Sequence, residues 1–108
     1  MTAAVRLARV SAEPLDVAAH LAAVADPAMG AVTAFVGSVR DADPDAAGPV
    51  VALEYTAHPD AEAVLRRLAE GAGDGVLIAV SHRSGRLGVG EPAVVIAVAS
   101  AHRAAAFA

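Results

Sequence analysis

The sequence predicts an α+β domain, a mixed β-sheet with helices packed on one face. Three observations carry that expectation. Two near-continuous apolar runs, GVLIAVS (Gly75 to Ser81) and AVVIAVAS (Ala93 to Ser100), read as strands buried on both faces. Two stretches with apolar residues at three- and four-residue spacing, one after Ser11 and one after Pro59, read as helices. Clusters of Gly, Pro and Asp punctuate the chain between these elements. At 108 residues the chain is most simply one domain, spanning residues 1–108.

The elements follow in order. Ala4 to Val10 alternates through Val5, Leu7 and Val10 and predicts a first strand. Ser11, with Pro14 at an early helical position, opens a helix running to about Ala25, with Val17, Leu21 and Val24 on its apolar face; Asp26-Pro27 ends it. Gly30 to Arg40 (GAVTAFVGSVR) is a strand whose internal Gly37 marks a bulge or a close backbone approach. Asp41 to Pro49 is an acidic loop, and Val50 to Tyr55 a returning strand. Pro59 starts a second helix with Ala61, Val64, Leu65, Leu68 and Ala69 toward the core, and with Glu62, Arg66 and Glu70 on its solvated side. GAGDG closes it. The stretch HRSGRLGVGEP between the apolar strands is a connection or a short hairpin built on Leu87 and Val89, and a third helix starts near Ala101. On pattern alone, the first arrangement suggested is a ferredoxin-like split βαβ.

Composition excludes several functions. The chain is 56% hydrophobic but only 3% aromatic, so its core is built from Ala, Val and Leu. Its longest apolar run, Ala93 to Ala99, is too short for a membrane span, and no basic, apolar leader opens the chain. Cysteine is absent, which excludes disulfides, thiolate metal sites and a cysteine nucleophile, and fits a cytoplasmic protein. A net charge of −4 argues against nucleic-acid binding. All eight basic residues are arginine. The four histidines lack ligand spacing, so neither a metal nor a cofactor is implied. GRLGVG lacks the context of a nucleotide loop, and no Ser/His/Asp set stands out.

Two clusters rise above scaffold. The first is Phe35-Val36-Gly37-Ser38-Val39-Arg40, in which Arg40 ends a strand and offers a planar fork of donors to a phosphate or carboxylate; a surface pair with Asp41 or Asp43 is the alternative. The second is Ser100-Ala101-His102-Arg103, where a buried strand meets a helix start. Backbone N–H groups favour an anion there, and a cationic Arg103 would accompany one. His102 can exchange a proton near neutrality; its alternative is capping or packing, with Arg103 solvated. His82-Arg83 reads first as a side-chain-held turn or a subunit contact, while His20 and His58 read as structural or solvated.

In unbroken order, GAVTAFVGSVR, VVALEYTAHP, SHRSGRLGVGE and AVASAHRAAAF resemble the large, catalytic subunit of molybdopterin synthase, over roughly three quarters of the chain. The resemblance implies an α/β hammerhead-like fold with a small extra β portion. It also implies a sulfurtransferase of molybdenum cofactor biosynthesis, which converts cyclic pyranopterin monophosphate into the molybdopterin dithiolene. Each sulfur arrives as a thiocarboxylate on the C-terminal Gly-Gly tail of a small ubiquitin-like subunit. The expected assembly is a homodimer of the large subunit within a heterotetramer, with no nucleic acid or membrane partner. By resemblance Arg40, His102 and Arg103 are the catalytic residues, and Phe35, Ser38, Val39, Arg40, His102 and Arg103 meet the pterin phosphate and the anionic tail. Packing is the reading preferred for Phe35, and the His-Arg pair can reach a site shared with the other protomer. The family continues beyond this point with a helix and two functional lysines, so the chain is expected to lack the family's C-terminal segment. A non-catalytic anion-binding or regulatory domain using the same Arg40 and His102-Arg103 positions is the alternative function, and a dimerising scaffold a third.

Overall fold

A computed structural model describes residues 3–40, 52–55 and 59–107. Along them run β1 (Ala4–Ser11), α1 (Val17–Ala23), β2 (Ala31–Ser38), β3 (Ala52–Tyr55), α2 (Ala61–Glu70), β4 (Leu77–Arg83), β5 (Gly85–Gly88), β6 (Pro92–Ser100) and α3 (Arg103–Phe107). The expected loop from Asp41 to Pro49, the start of the Val50 to Tyr55 strand, and His58 lie outside the described residues. The main sheet has the order β1-β4-β6-β2, and β3 pairs with β5 in a separate antiparallel ribbon, with Leu53 opposite Leu87.

β1 is parallel to β4, whereas β6 is antiparallel to both β4 and β2. β1, β2 and β4 therefore run one way and β6 runs against them. The α+β class, the mixed sheet and the small extra β portion agree with expectation. The helices, however, do not share a face. Alternate residues of β4 divide between two cores: Ile78 and Val80 pack with Leu65 and Ala69 of α2, while Leu77 and Ala79 pack with Ala23 and Val24 at the end of α1. Topology requires this. The chain crosses the sheet from β1 to β2 through α1, then returns from β2 to β4 through α2. Parallel crossovers made in opposite directions are both right-handed only if they pass over opposite faces. The same fact removes the ferredoxin-like arrangement.

The α1 face is the tighter one. Val24, Val95, Ala79, Ala97 and Ala99 are fully buried there, and burying each valine completely contributes roughly 1.5–3 kcal/mol. α1 is shorter than predicted because Asp16, not Ser11, is its N-cap: an Asp16 carboxylate oxygen accepts from the Ala19 N–H at 3.2 Å. Ser11 Oγ is instead engaged with Glu13 in a local turn. Its inward residue is His20 rather than Leu21, which is exposed. The Asp16 carbonyl can only accept, so His20 Nδ1 carries the proton at 2.6 Å. In the neutral imidazole, Nε2 then accepts from the buried Ser81 hydroxyl at 2.7 Å. On α2 the inward stripe narrows to half-buried Ala61 and Leu65 and buried Ala69, and Leu68 is 70% exposed. Glu62, expected as a merely solvated charge, accepts the outward N–H of Val10 at 2.9 Å and so occupies part of the free edge of β1.

Candidate active site

Arg40 is positioned by the residue before it. Val39 is 4% exposed and packs with Leu87 and Ala93 in a third small core. Its N–H donates to the Glu91 carbonyl at 3.1 Å, and its carbonyl accepts from the Gly90 N–H at 2.9 Å. With side chain and both backbone groups engaged, Val39 anchors its neighbour and presents no side-chain surface to a ligand. Arg40 and Ser38 are exposed. Gly37 stands at the bulge, the first of its two expected uses, and what approaches it closely is a side chain. The β2–β6 register shifts between Gly37 and Ser38, and a Cβ on Gly37 would stand 2.7 Å from Val94 Cγ1. Phe35 is 60% exposed rather than packed beneath the site. Its ring edge lies 3.4 Å from that same Cβ position, so the ring leans along β2 toward the Arg40 end.

His102 and Arg103 are both exposed at the far end of β6. The buried Ser100 hydroxyl donates to the His102 carbonyl and closes the turn between β6 and α3. A Cβ on Gly30 would meet the Ala101 carbonyl oxygen at 2.8 Å, so a glycine before β2 is what admits this turn. α3 spans Arg103–Phe107 among the described residues.

The two clusters do not meet within one chain. Ala31 stands opposite Ser100 and Ser38 opposite Pro92. Arg40 therefore follows one end of the β2–β6 pair and His102-Arg103 the other, roughly 25 Å apart at strand rise. His82-Arg83 fits its first reading as a held turn. His82 Nδ1 donates to the Arg83 carbonyl at 2.8 Å, and the Arg83 guanidinium reaches the Ala12 carbonyl and the Glu91 carboxylate, each at 3.0 Å. Sequence reasoning passed over Gly30 and Glu91. Gly30 was legible as a glycine between a helix stop and a strand, and Glu91 as the charge that closes SHRSGRLGVGE. Among the described residues no group of His, Asp and Glu could hold a metal ion. No described helix is long and apolar enough to cross a membrane.

The model of the MoaE protein family matches residues 10–108. The chain belongs to this family of molybdopterin synthase catalytic subunits, sulfur-transferring enzymes of molybdenum cofactor biosynthesis. It is 42% identical over 105 residues to molybdopterin synthase catalytic subunit 1 of Mycobacterium tuberculosis, covering 92% of this chain and 69% of that one. Against the catalytic subunit of Aspergillus niger the identity is 36% over 100 residues, 87% of this chain and 53% of the relative. The crystal structure of molybdopterin synthase from Staphylococcus aureus superposes with a TM-score of 0.84 at 30% identity, over 93% of this chain and 74% of that one. The chain thus spans between about half and three quarters of the length of these relatives.

Proposed function

We propose that this chain acts as the large subunit of a molybdopterin synthase, whose site is shared between two copies. The substrate is cyclic pyranopterin monophosphate, and the sulfur donor is the C-terminal thiocarboxylate of a small ubiquitin-like subunit. Both are anions, which is what exposed arginines at strand ends suit. Arg40 takes the substrate phosphate, with Ser38 as a neighbouring donor and the exposed Phe35 ring as a flat apolar surface for the heterocycle. His102 and Arg103 bind the incoming tail or the far side of the substrate. Val39 serves by anchoring Arg40.

The observation that carries the shared site is the separation of the two clusters along one strand pair. β2 is the outer strand of the main sheet, with Val32, Phe35 and Val36 exposed along it. A copy related by a two-fold axis near the middle of β2 would run antiparallel to it. Arg40 of each copy would then lie beside Gly30 and the His102-Arg103 turn of the other. Such an isologous contact joins what one chain keeps apart.

Complementation between inactive variants tests this. Arg40→Ala and Arg103→Ala of the full-length protein, each inactive alone, are denatured together and refolded. Random pairing makes half of the dimers mixed, each with one intact site, so about one quarter of wild-type dithiolene formation should return. No recovery would place the whole site within one chain. A second reading, a non-catalytic anion-binding domain, uses the same exposed Arg40 and His102-Arg103 positions. Tight pterin phosphate binding with no dithiolene product from the full-length protein and thiocarboxylated partner would select it.

A further inference from the structure

The Arg40 end of the sheet carries a side-chain tie that the functional reading leaves unused. Four chain segments converge there: the ends of β1, β4 and β2 and the start of β6. Arg83, with its side chain only 12% exposed, sits at their centre. Its Nε donates to the Ala12 carbonyl just past β1, and its Nη1 to Glu91 Oε2 just before β6, each at 3.0 Å. Beside it the Ser84 N–H donates to the Ser11 carbonyl at 2.8 Å. Glu91 in turn offers its backbone carbonyl to the Val39 N–H, while the adjacent Gly90 N–H holds the Val39 carbonyl. The connection runs unbroken from Ala12 through Arg83, Glu91 and Val39 to Arg40.

We propose that Arg83, acting through Glu91, is a positioning residue for Arg40. This rests on the reading of Arg40 as the phosphate-binding arginine. The guanidinium suits the task because its rigid fork bonds two segments at once, which a lysine ammonium on a flexible stem does less well. Arg40 is long and exposed, so its affinity for an anion depends on how much freedom it loses on binding. Fixing the backbone before it reduces that loss. With the tie gone, the Gly88 to Glu91 turn is freed from β1 and β4, and Val39 loses the fixed partners that aim Arg40.

The experiment is a double-mutant cycle in the full-length protein, with cyclic pyranopterin monophosphate as the titrated ligand. Arg83→Gln and the milder Arg83→Lys are each made in the wild-type and Arg40→Ala backgrounds. Arg83→Gln should weaken binding about tenfold in the wild-type background and less than about twofold when Arg40 is absent. Arg83→Lys should fall between, and it carries the cycle if the glutamine variant does not fold. Equal losses in both backgrounds would make Arg83 a merely structural residue, and no loss in the first would also overturn the proposal. Amide exchange supplies a readout without ligand: Val39 and Gly90 should exchange at least about tenfold faster in either Arg83 variant, and unchanged rates would refute the tie. Unchanged affinity in Arg40→Ala alone, with exchange at Val39 still accelerated, would instead locate the failure in the reading of Arg40.

Discussion

The two ends of the β2–β6 pair present the same chemistry, exposed arginine, on different supports. At the Arg40 end a near-buried guanidinium joins β1, β4 and the turn before β6, and a small core of Val39, Leu87 and Ala93 seats the residue before Arg40. At the other end His102 and Arg103 stand on a turn held by the Ser100 hydroxyl and by the close approach of Gly30 to the Ala101 carbonyl. One end is braced through side chains across several strands, the other by local backbone fit. On the reading of Arg40 proposed above, the arginine for the phosphate would be fixed in advance by side chains, and the His102-Arg103 pair by the backbone fit of its turn.

Substitution at the two glycines breaks this contrast most directly. A Cβ at Gly30 meets a backbone carbonyl at 2.8 Å, whereas one at Gly37 meets the tip of a side chain at 2.7 Å. Backbone cannot step aside without moving the His102-Arg103 turn, but Val94 can shift by a rotamer. Gly30→Ala should therefore cost about 2–3 kcal/mol and Gly37→Ala about 1 kcal/mol. Thermal unfolding checks this, with melting temperatures lower by about 8–24 °C and about 4–8 °C respectively. Equal losses would mean that the Ala101 carbonyl yields to a Cβ as readily as the Val94 side chain does, and that no tight backbone fit holds the His102-Arg103 turn.

His20 tests the braced end from beneath. Replacing it by leucine leaves the buried Ser81 hydroxyl without its partner, at a cost of about 2 kcal/mol. Adding Ser81→Ala to His20→Leu should recover about 1 kcal/mol, because no buried hydroxyl then remains unpaired. Chemical denaturation of His20→Leu, Ser81→Ala and the double variant measures the coupling, and strictly additive losses would show that the two side chains do not depend on each other. The Asp16 cap of the same helix is worth less. Asp16→Ala should cost about 1 kcal/mol, again read from denaturation midpoints.

These residues also mark where the sequence was legible. Strands were plain wherever burial on both faces made the apolar run continuous, as in β4 and β6. The Gly37 bulge was visible because a glycine inside a strand has few other uses. Helix faces were not, since the rule that apolar residues point inward cannot foresee His20, a polar residue that finds two partners, displacing Leu21. The division of helices between two faces follows from strand order, which local pattern does not contain. The candidate site was legible as residue types at strand ends, while the distance between its halves depended on β2–β6 register.

The smallest expected effect concerns the second described ion pair, on the opposite side of the contrast from Arg83. Arg6 Nη2 lies 3.5 Å from Asp26 Oδ2, with side-chain exposures of 43% and 33%. Arg6 belongs to the half of β1 that pairs with the start of β4, at the His102-Arg103 end. Its single long contact is open to solvent and salt, whereas Arg83 makes two bonds at 3.0 Å from a side chain 12% exposed. Arg6→Ala should cost no more than about 0.5 kcal/mol, and that cost should vanish as salt rises to about 1 M. Arg83→Gln should cost more and keep most of its effect in salt. Denaturation midpoints at low and high salt separate the two. Similar salt dependence would mean that the Arg83 tie is as solvent-borne as the Arg6 pair, and the distinction between a braced and a locally held end would have to be given up.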